Sequence, residues 1–405
     1  MSGKTPYIVG IGPGNHEYIY PLAQKAIEGA DVLIGGKRNL EEFAYLKKET
    51  VVIDGKLAPV VALIEQQWQE KSIVVLASGD TGLFSIRAYL QKKLPKIPFT
   101  VLPGISSLQY LIAKCNVNLN DLKIITLHGN HEVNLRDTVA RNPVTAIFTG
   151  GSNSPQAIAA RLATMNFAKL SVTVGENLSY PNEVLVTDTP EAIAKMHFGD
   201  LSLMLVKNDA VDERPWPYHT MGLPDESFLR DEVPMTKSEI RAIISSKLRL
   251  KADSKVLEIG AGTGSVTIEA ALTAHEGHVW ALEKNPAAVE LCKKNIERFC
   301  LDNVTLIEGT APEAIPSLSD LDAIFIGGSG GNMKNIIEVF GSAPVRLVVS
   351  AITVESVAEA LDAMKEFGFE GIEIVQAAVA RSKRAGSKHL MMGMNPITIL
   401  SGERK

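Results

Sequence analysis

Cysteine is nearly absent: the chain has three in 405 residues, Cys115, Cys292 and Cys300. An odd, sparse set without paired spacing argues against a disulfide framework and fits a reducing cytoplasm. Cys292 and Cys300 fall on one helical pattern and read as small buried apolar residues. No apolar run approaches membrane-spanning length, so a membrane is not an expected partner. The opening Met-Ser-Gly-Lys-Thr-Pro-Tyr does not have the form of a signal peptide, and a cytoplasmic location is expected. No low-complexity segment is present. An excess of positive charge is also missing, with 41 Lys and Arg against 46 Asp and Glu and a net charge of -5. General nucleic-acid binding needs a basic surface, so nucleic acid is not an expected partner. A small polyanion in a local basic pocket stays compatible with this balance. The length suggests two or three domains, each able to bury its own core.

What is present is organised around Lys255-Val256-Leu257-Glu258-Ile259-Gly260-Ala261-Gly262-Thr263-Gly264. A short buried strand runs into three glycines at alternate positions, and a helical pattern follows from Ser265 to Ala274. Strand, glycine turn and helix form the first unit of a doubly wound sheet that holds a nucleotide-like ligand. Glycine lets the backbone pass close to that ligand. Ser265 stands where the dinucleotide pattern has its third glycine, which favours a ligand without pyrophosphate. The next strand, His278 to Leu282, ends on Glu283, about twenty residues past the glycines. A carboxylate there can accept hydrogen bonds from both hydroxyls of a ribose. This pattern resembles the class I S-adenosylmethionine-dependent methyltransferases, which implies S-adenosylmethionine as cofactor.

The first half repeats the theme in another form. Strand Tyr7 to Val9 runs into Gly10-Ile11-Gly12-Pro13-Gly14. Ser72 to Ala77 ends in Ser78-Gly79-Asp80-Thr81-Gly82. Phe99 to Leu102 ends in Pro103-Gly104-Ile105-Ser106-Ser107, and Ile124 to Leu127 ends in His128-Gly129-Asn130. Loops at the carboxyl ends of strands line the crevice of an open α/β sheet. The ordered series resembles the class III, or tetrapyrrole methylase, family from Tyr7 to about Val206. The segment Tyr20 to Gly36 looks like the branch that methylates precorrin-6 compounds.

That resemblance implies a cofactor cleft between two α/β subdomains, the second starting near Ala140. It implies Gly10, Gly12, Pro13, Gly79, Asp80 and Ser107 as cofactor contacts. Asp80 also reads as a turn residue capping the next helix. Thr81 stands where the family usually has proline, which removes a backbone constraint from the cofactor loop. His128 and His131 lack a third ligand, so no metal is expected.

Lys207 to Val233 breaks the pattern, with Pro215, Pro217 and Pro224 among charges, and reads as a linker. The expected division is a tetrapyrrole methylase domain over 1–206, a linker over 207–233 and a class I domain over 234–405. Thr236 with Glu239 reads as a capping box for the following helix, and Thr236 and Arg241 are candidates to face the cofactor. Strands are expected over Val304 to Ile307, Leu321 to Ile326, Arg346 to Ser350, Gly371 to Val379 and Ile397 to Ser401. The last is antiparallel by resemblance to the fold.

The same resemblance places Glu258, Gly260, Gly262, Gly264, Glu283, Thr310 and Ala311 on the cofactor. Gly327 to Gly331 holds four glycines in five residues, too costly in chain entropy for filler. It reads as a substrate wall or a mobile lid, with Gly328 and Gly330 as substrate-binding candidates. The cluster Ala380 to His389 contributes Arg381 and Arg384, since arginine pairs with carboxylates in a two-pronged way.

From the glycine turn to Thr398 the second half is similar to the decarboxylating precorrin-6 methyltransferases of cobalamin synthesis. Two families of one pathway thus cover almost the whole chain. They imply methylation of a small-molecule tetrapyrrole at C5 by the first half, and at C15 with loss of an acetate carboxylate by the second. They also imply a homo-oligomer. No residue is singled out as catalytic. Two rivals are an RNA or protein methyltransferase, against which the acidic charge weighs, and a first half that binds or oligomerises without catalysis.

Overall fold

A computed structural model of the chain describes residues 4–128, 134–165, 169–213, 215–218 and 220–405. They fall into two compact units, one from Met1–Asn130, Val144–Thr164 and Leu170–Lys207, the other from His131–Pro143, Met165–Lys169 and Asn208–Lys405. Among the described residues no helix is long and apolar enough to cross a membrane.

The first unit holds two sheets. Strands β1 (Tyr7–Gly10), β2 (Val32–Gly35), β3 (Glu49–Val52), β4 (Ile73–Ala77) and β5 (Thr100–Leu102) pair in parallel in the order β3-β2-β4-β1-β5. β2 and β4 are buried at every position, as expected of a parallel sheet covered on both faces. Strand alternation splits their side chains between two cores. Val9, Leu33, Val74 and Leu76 meet Ala23 and Ile27 of the helix Pro21–Glu28. Ile8, Val32, Ile34, Ile73 and Val75 meet Val60, Ile64 and Leu90 of the helices Ala58–Gln67 and Ile86–Lys93.

The second sheet contains β6 (Leu122–Thr126), β7 (Val144–Phe148), β8 (Leu170–Glu176), β9 (Val184–Asp188) and β10 (Ser202–Asn208) in the order β6-β7-β10-β8-β9. β6 and β7 are parallel, while β10 runs antiparallel to β7 and β9 to β8. The second subdomain therefore begins at Leu122 rather than near Ala140. Ile124 to Leu127 was attached to the preceding strands by its loop, but its partner is β7, which comes later in the chain.

The second unit carries β11 (Lys255–Ile259), β12 (His278–Glu283), β13 (Val304–Glu308), β14 (Ala323–Ile326), β15 (Val345–Ala351) and β16 (Glu370–Ala377), the pair β17 (Ala380–Ala385) and β18 (Lys388–Gly393), and β19 (Ile397–Arg404). Seven of these pair in the order β13-β12-β11-β14-β15-β19-β16. β19 lies antiparallel between β15 and β16, as expected of the last strand. Chain order reverses at β11, whose neighbours are β12 on one side and β14 on the other. A crevice opens at the carboxyl ends of the strands at such a switch point. Val256, Phe325 and Val348 pack on the helices Ser238–Leu248 and Ser265–Thr273. On the opposite face, Leu257, Ile324 and Leu347 pack on Met333–Glu338 and Val354–Glu366.

Three local features differ from the sequence reading. From Gly222 onward the expected linker is packed into the second unit. The N–H groups of Gly222 and Leu223 donate to Glu269 at 2.8 and 3.0 Å, and Leu223 and Phe228 enter the core. The capping box at Thr236 does not form. The helix starts at Ser238 with Lys237 at its N-cap, the Ser238 N–H donates to Asp225 at 3.0 Å, and the Glu239 carboxylate turns to Arg381. The charged stretch Ala380 to His389 forms most of the β17–β18 hairpin, closed by Gly386 at φ 62°, a residue suited to a two-residue turn.

Candidate functional site

The crevice beside β11 contains a cavity of about 580 Å³, within the range of small-molecule sites. Its floor is the turn Gly260–Thr263. Gly260 and Gly262 hold φ of 80° and 56°, a left-handed conformation that costs a side-chain-bearing residue about 1 kcal/mol or more. A Cβ on Gly260 would stand 2.9 Å from the Gly328 nitrogen, so glycine is required where the loop after β14 passes. Gly264, at φ 78°, starts the helix Ser265–Thr273 and faces Cys292, away from the cavity. It shapes the turn without lining the site.

Glu283 closes one wall. One of its oxygens accepts from the Gly262 N–H at 2.8 Å, and the other from Lys284 and Asn285 at 2.9 and 2.8 Å. Three backbone donors fix the carboxylate at the cavity edge. Glu258 lies deeper, fully buried, with the Thr267 hydroxyl as hydrogen-bond donor. Burial pushes its pKa up to about 8, and the nearby Glu283 charge adds to the rise. Glu258 is therefore mostly protonated at neutral pH. Burial also lifts Cys292 to about 12, with Glu258 and Glu283 contributing, which makes it the inert apolar residue read from the sequence. Thr236, Thr310, Ala311, Gly328 and Gly330 line the same cavity.

Arg241, Arg381 and Arg384 do not line it. Arg241 is completely buried and donates to Glu269 at 2.7 Å, to Asp225 at 3.0 Å, and to the carbonyls of Thr236 and Leu223. It pins the Gly222–Thr236 segment against its own helix. Arg381 reaches Asp225 at 2.6 Å and Glu239 at 2.5 Å. The Arg381 guanidinium holds the Glu239 carboxyl down to about 2. Burial opposes the charge on Asp225, but hydrogen bonds from Arg381 and Arg241 outweigh it and keep that pKa low. Arg384 is exposed and donates to the Gly386 carbonyl at 3.2 Å.

In the first unit the predicted glycines close on one another. Gly12 and Gly79 exchange backbone hydrogen bonds of 3.2 and 2.8 Å. A Cβ on Gly10 would meet the Gly104 nitrogen at 2.6 Å and the Gly79 oxygen at 2.8 Å. Asp80 accepts from the N–H groups of Gly82 and Gly104 at 2.7 and 3.2 Å. It ties two loops together and does not cap the next helix, whose N-cap is Ser85. Ser106 supplies the cap of the helix Ser107–Lys114, in a capping box with Gln109, and Ser107 is the first residue of that helix. Thr81 is buried. The space beside Gly12 and Pro13 is about 10 Å³ and is lined in part by Tyr180, whose ring packs against Gly14 and leaves no room for a Cβ there. His128 donates its N–H to Thr126, and His131 lies outside the described residues.

Residues 226–404 match the family model described as precorrin methyltransferase domain, and residues 6–194 match that of the tetrapyrrole (corrin/porphyrin) methylases. A protein of Saccharolobus solfataricus named a probable cobalt-precorrin-6B C(15)-methyltransferase (decarboxylating) is 43% identical over 197 residues, covering 47% of this chain and 98% of its own length. The chain belongs to the precorrin methyltransferase family. A second relative of that family, the cobalt-precorrin-6B C(15)-methyltransferase (decarboxylating) of Salmonella typhimurium, is 37% identical over 187 residues, covering 45% of this chain and 96% of its own. Among solved structures, a precorrin-6y C5,15-methyltransferase from Geobacter metallireducens is 34% identical, covers 46% of this chain and 98% of its own, and has a TM-score of 0.44.

Precorrin methyltransferases use S-adenosylmethionine, and the second-unit cavity fits it. Gly260 and Gly262 put no Cβ of their own on the turn, and three backbone donors fix the Glu283 carboxylate at the cavity edge. Thr263 lines the cavity, and its buried hydroxyl oxygen has no hydrogen-bond partner in the protein, an unsatisfied polar group beside the ligand space. Thr263, Lys284 and Asn285 line the site but were missed in the sequence. Each lies within two residues of one nominated from the sequence, and that closeness is the available signal.

Proposed function

We propose that this chain methylates a precorrin-6 compound at C5 and C15 and removes carbon dioxide from the C12 acetate. The second unit serves C15 and the decarboxylation, and the first serves C5. The observation that carries this is the cavity at the β11 switch point, within the segment that matches the precorrin methyltransferase model. The working division is 1–206, a connecting 207–233, and 234–405; the matched segments are 6–194 and 226–404, so the second reaches back into the connecting stretch.

S-adenosylmethionine supplies an electrophilic methyl group when bound. Thr236, Gly260, Gly262, Glu283, Thr310 and Ala311 are the residues that would hold it in the second unit. The meso carbons of the substrate are enamine-like and already nucleophilic, so the protein contributes mainly position and electrostatics. Glu258, uncharged at neutral pH, keeps a second full negative charge off the cavity floor. Ile326, Met333 and Ile352 give the wall beside the glycine loop an apolar character, which suits loss of a carboxylate as neutral carbon dioxide. The chain acts in the cytoplasm, without nucleic acid, as a homo-oligomer. The β17–β18 hairpin supports assembly, since Leu390, Met391 and Met392 are 55%, 66% and 51% exposed on a two-stranded sheet, and such ribbons are marginal alone.

The test is the product mass after incubation with S-adenosylmethionine and reduced precorrin-6, in cobalt-free and cobalt-bearing forms. Two methyl groups gained with one carbon dioxide lost is the expected result. No change with either form would refute the assignment. One methyl gained with that loss would favour a second reading, in which the first unit binds without catalysis.

A further inference from the structure

Among the described residues lining the second-unit cavity, Lys284 is the only one with a positively charged side chain. It is exposed while lining the cavity, which places it at the mouth. Its backbone is fixed, because its N–H donates to Glu283 at 2.9 Å. Its Nζ reaches across to the loop after β14 and lies 3.6 Å from where a Cβ on Gly330 would stand. The two acidic groups of the cavity leave this charge unmatched. Glu283 is engaged by three backbone donors, and Glu258 is buried under the floor. No ion pair of the Lys284 ammonium is found among the described residues.

The loop beside it offers a bare surface. A Cβ on Gly328 or Gly331 would meet nothing within 4 Å, so the backbone there faces open space. A broad flat ring can lie against such a backbone, and a ring bearing many carboxylates needs a cation at its edge. The arginines nominated from the sequence do not serve: Arg381 is neutralised by Asp225 and Glu239, and Arg384 lies outside the cavity. We infer that Lys284 holds a peripheral carboxylate of the tetrapyrrole at the edge of the Gly327–Gly331 loop and so sets the seating of the ring. This rests on the tetrapyrrole reading of the site. Lys284 is a positioning residue, and the carboxylate it holds is not the one lost, because an ion pair would stabilise that group against leaving.

The experiment titrates the full chain, with S-adenosylmethionine present, with a free-base octacarboxylic porphyrin and with its methyl ester. Porphyrin fluorescence reports ring binding, and calorimetry separately reports cofactor binding. Lys284→Gln is expected to weaken the carboxylate form about tenfold and to flatten its salt dependence. It should leave the ester within about twofold, and Lys284→Arg should restore binding because it restores the charge. Cofactor affinity should stay within about twofold in both variants. Unchanged porphyrin binding in Lys284→Gln would overturn the inference, as would a loss confined to the cofactor, which would make Lys284 a cover for that ligand. A wild-type chain that binds cofactor but no porphyrin would sink the tetrapyrrole reading itself, and this inference with it.

Discussion

The turn after β1 and the turn after β11 are both glycine-rich and both sit at the carboxyl end of a central parallel strand, yet they use their glycines differently. After β1, the missing side chains let three strand ends touch: Gly10, Gly79 and Gly104 pack backbone on backbone, Asp80 ties two of the loops, and Tyr180 covers Gly14. After β11, the glycines turn the backbone under a cavity of about 580 Å³, with the Glu283 carboxylate at its edge. Absence of a Cβ permits close approach, and the neighbours decide whether a protein or a ligand does the approaching.

Substitutions should separate these two uses. The largest effect is expected from Gly10→Ala, whose methyl would overlap the backbone of Gly104 and Gly79. A loss of about 3 kcal/mol or more in the first unit should appear as an early transition in denaturant unfolding while the second unit melts normally. A single unchanged transition would mean that the strand ends are not packed as described.

Gly260→Ala combines left-handed strain with approach to the Gly328 nitrogen. It should cost the second unit about 1–2 kcal/mol. The greater damage falls on the ligand, with more than about tenfold weaker cofactor binding by calorimetry. Retained affinity would show that the loop gives way.

The pH response sharpens the contrast further. The folded-state pKa of Glu258 is raised to about 8 from 4.5. Its favourable contribution is therefore complete below about 4.5 and is lost as pH rises towards 8. Wild type should lose on the order of 3 kcal/mol relative to Glu258→Gln between pH 5 and 8. Thermal midpoints at both pH values measure this, and parallel curves would mean that Glu258 is ionised throughout. The smallest effect is expected from Tyr180→Ala. Clearing the ring from Gly14 should tighten a second cofactor-binding event by about threefold, under 1 kcal/mol. No second event in either protein would leave the first unit as a non-binding module.

The parts of the molecule that could be read from sequence are those specified by short spacing. The β11 turn, Glu283 about twenty residues later, and the strand sequence through β19 all follow from local pattern. The parts that could not be read depend on distant partners. Arg381 looked like a substrate ligand because Asp225 and Glu239 lie 156 and 142 residues away. Once Arg381 takes Glu239, the capping box at Thr236 has lost its second half. The space beside Gly12 reads from its glycines alone, while Tyr180, which lines it and packs against Gly14, comes from a distant part of the unit.

The cluster around Arg241 fixes where the chain can be cut. A fragment beginning at residue 234 would keep Arg241 and Glu269 but discard Asp225, the Leu223 carbonyl and Phe228, whose ring lies 4.7 Å from the guanidinium. A buried cation would be left short of its acceptors, and two positions of the hydrophobic core would be empty. The smallest autonomous catalytic piece of the second half therefore begins before Gly222, inside the stretch whose prolines and charges give it the composition of a mere connector.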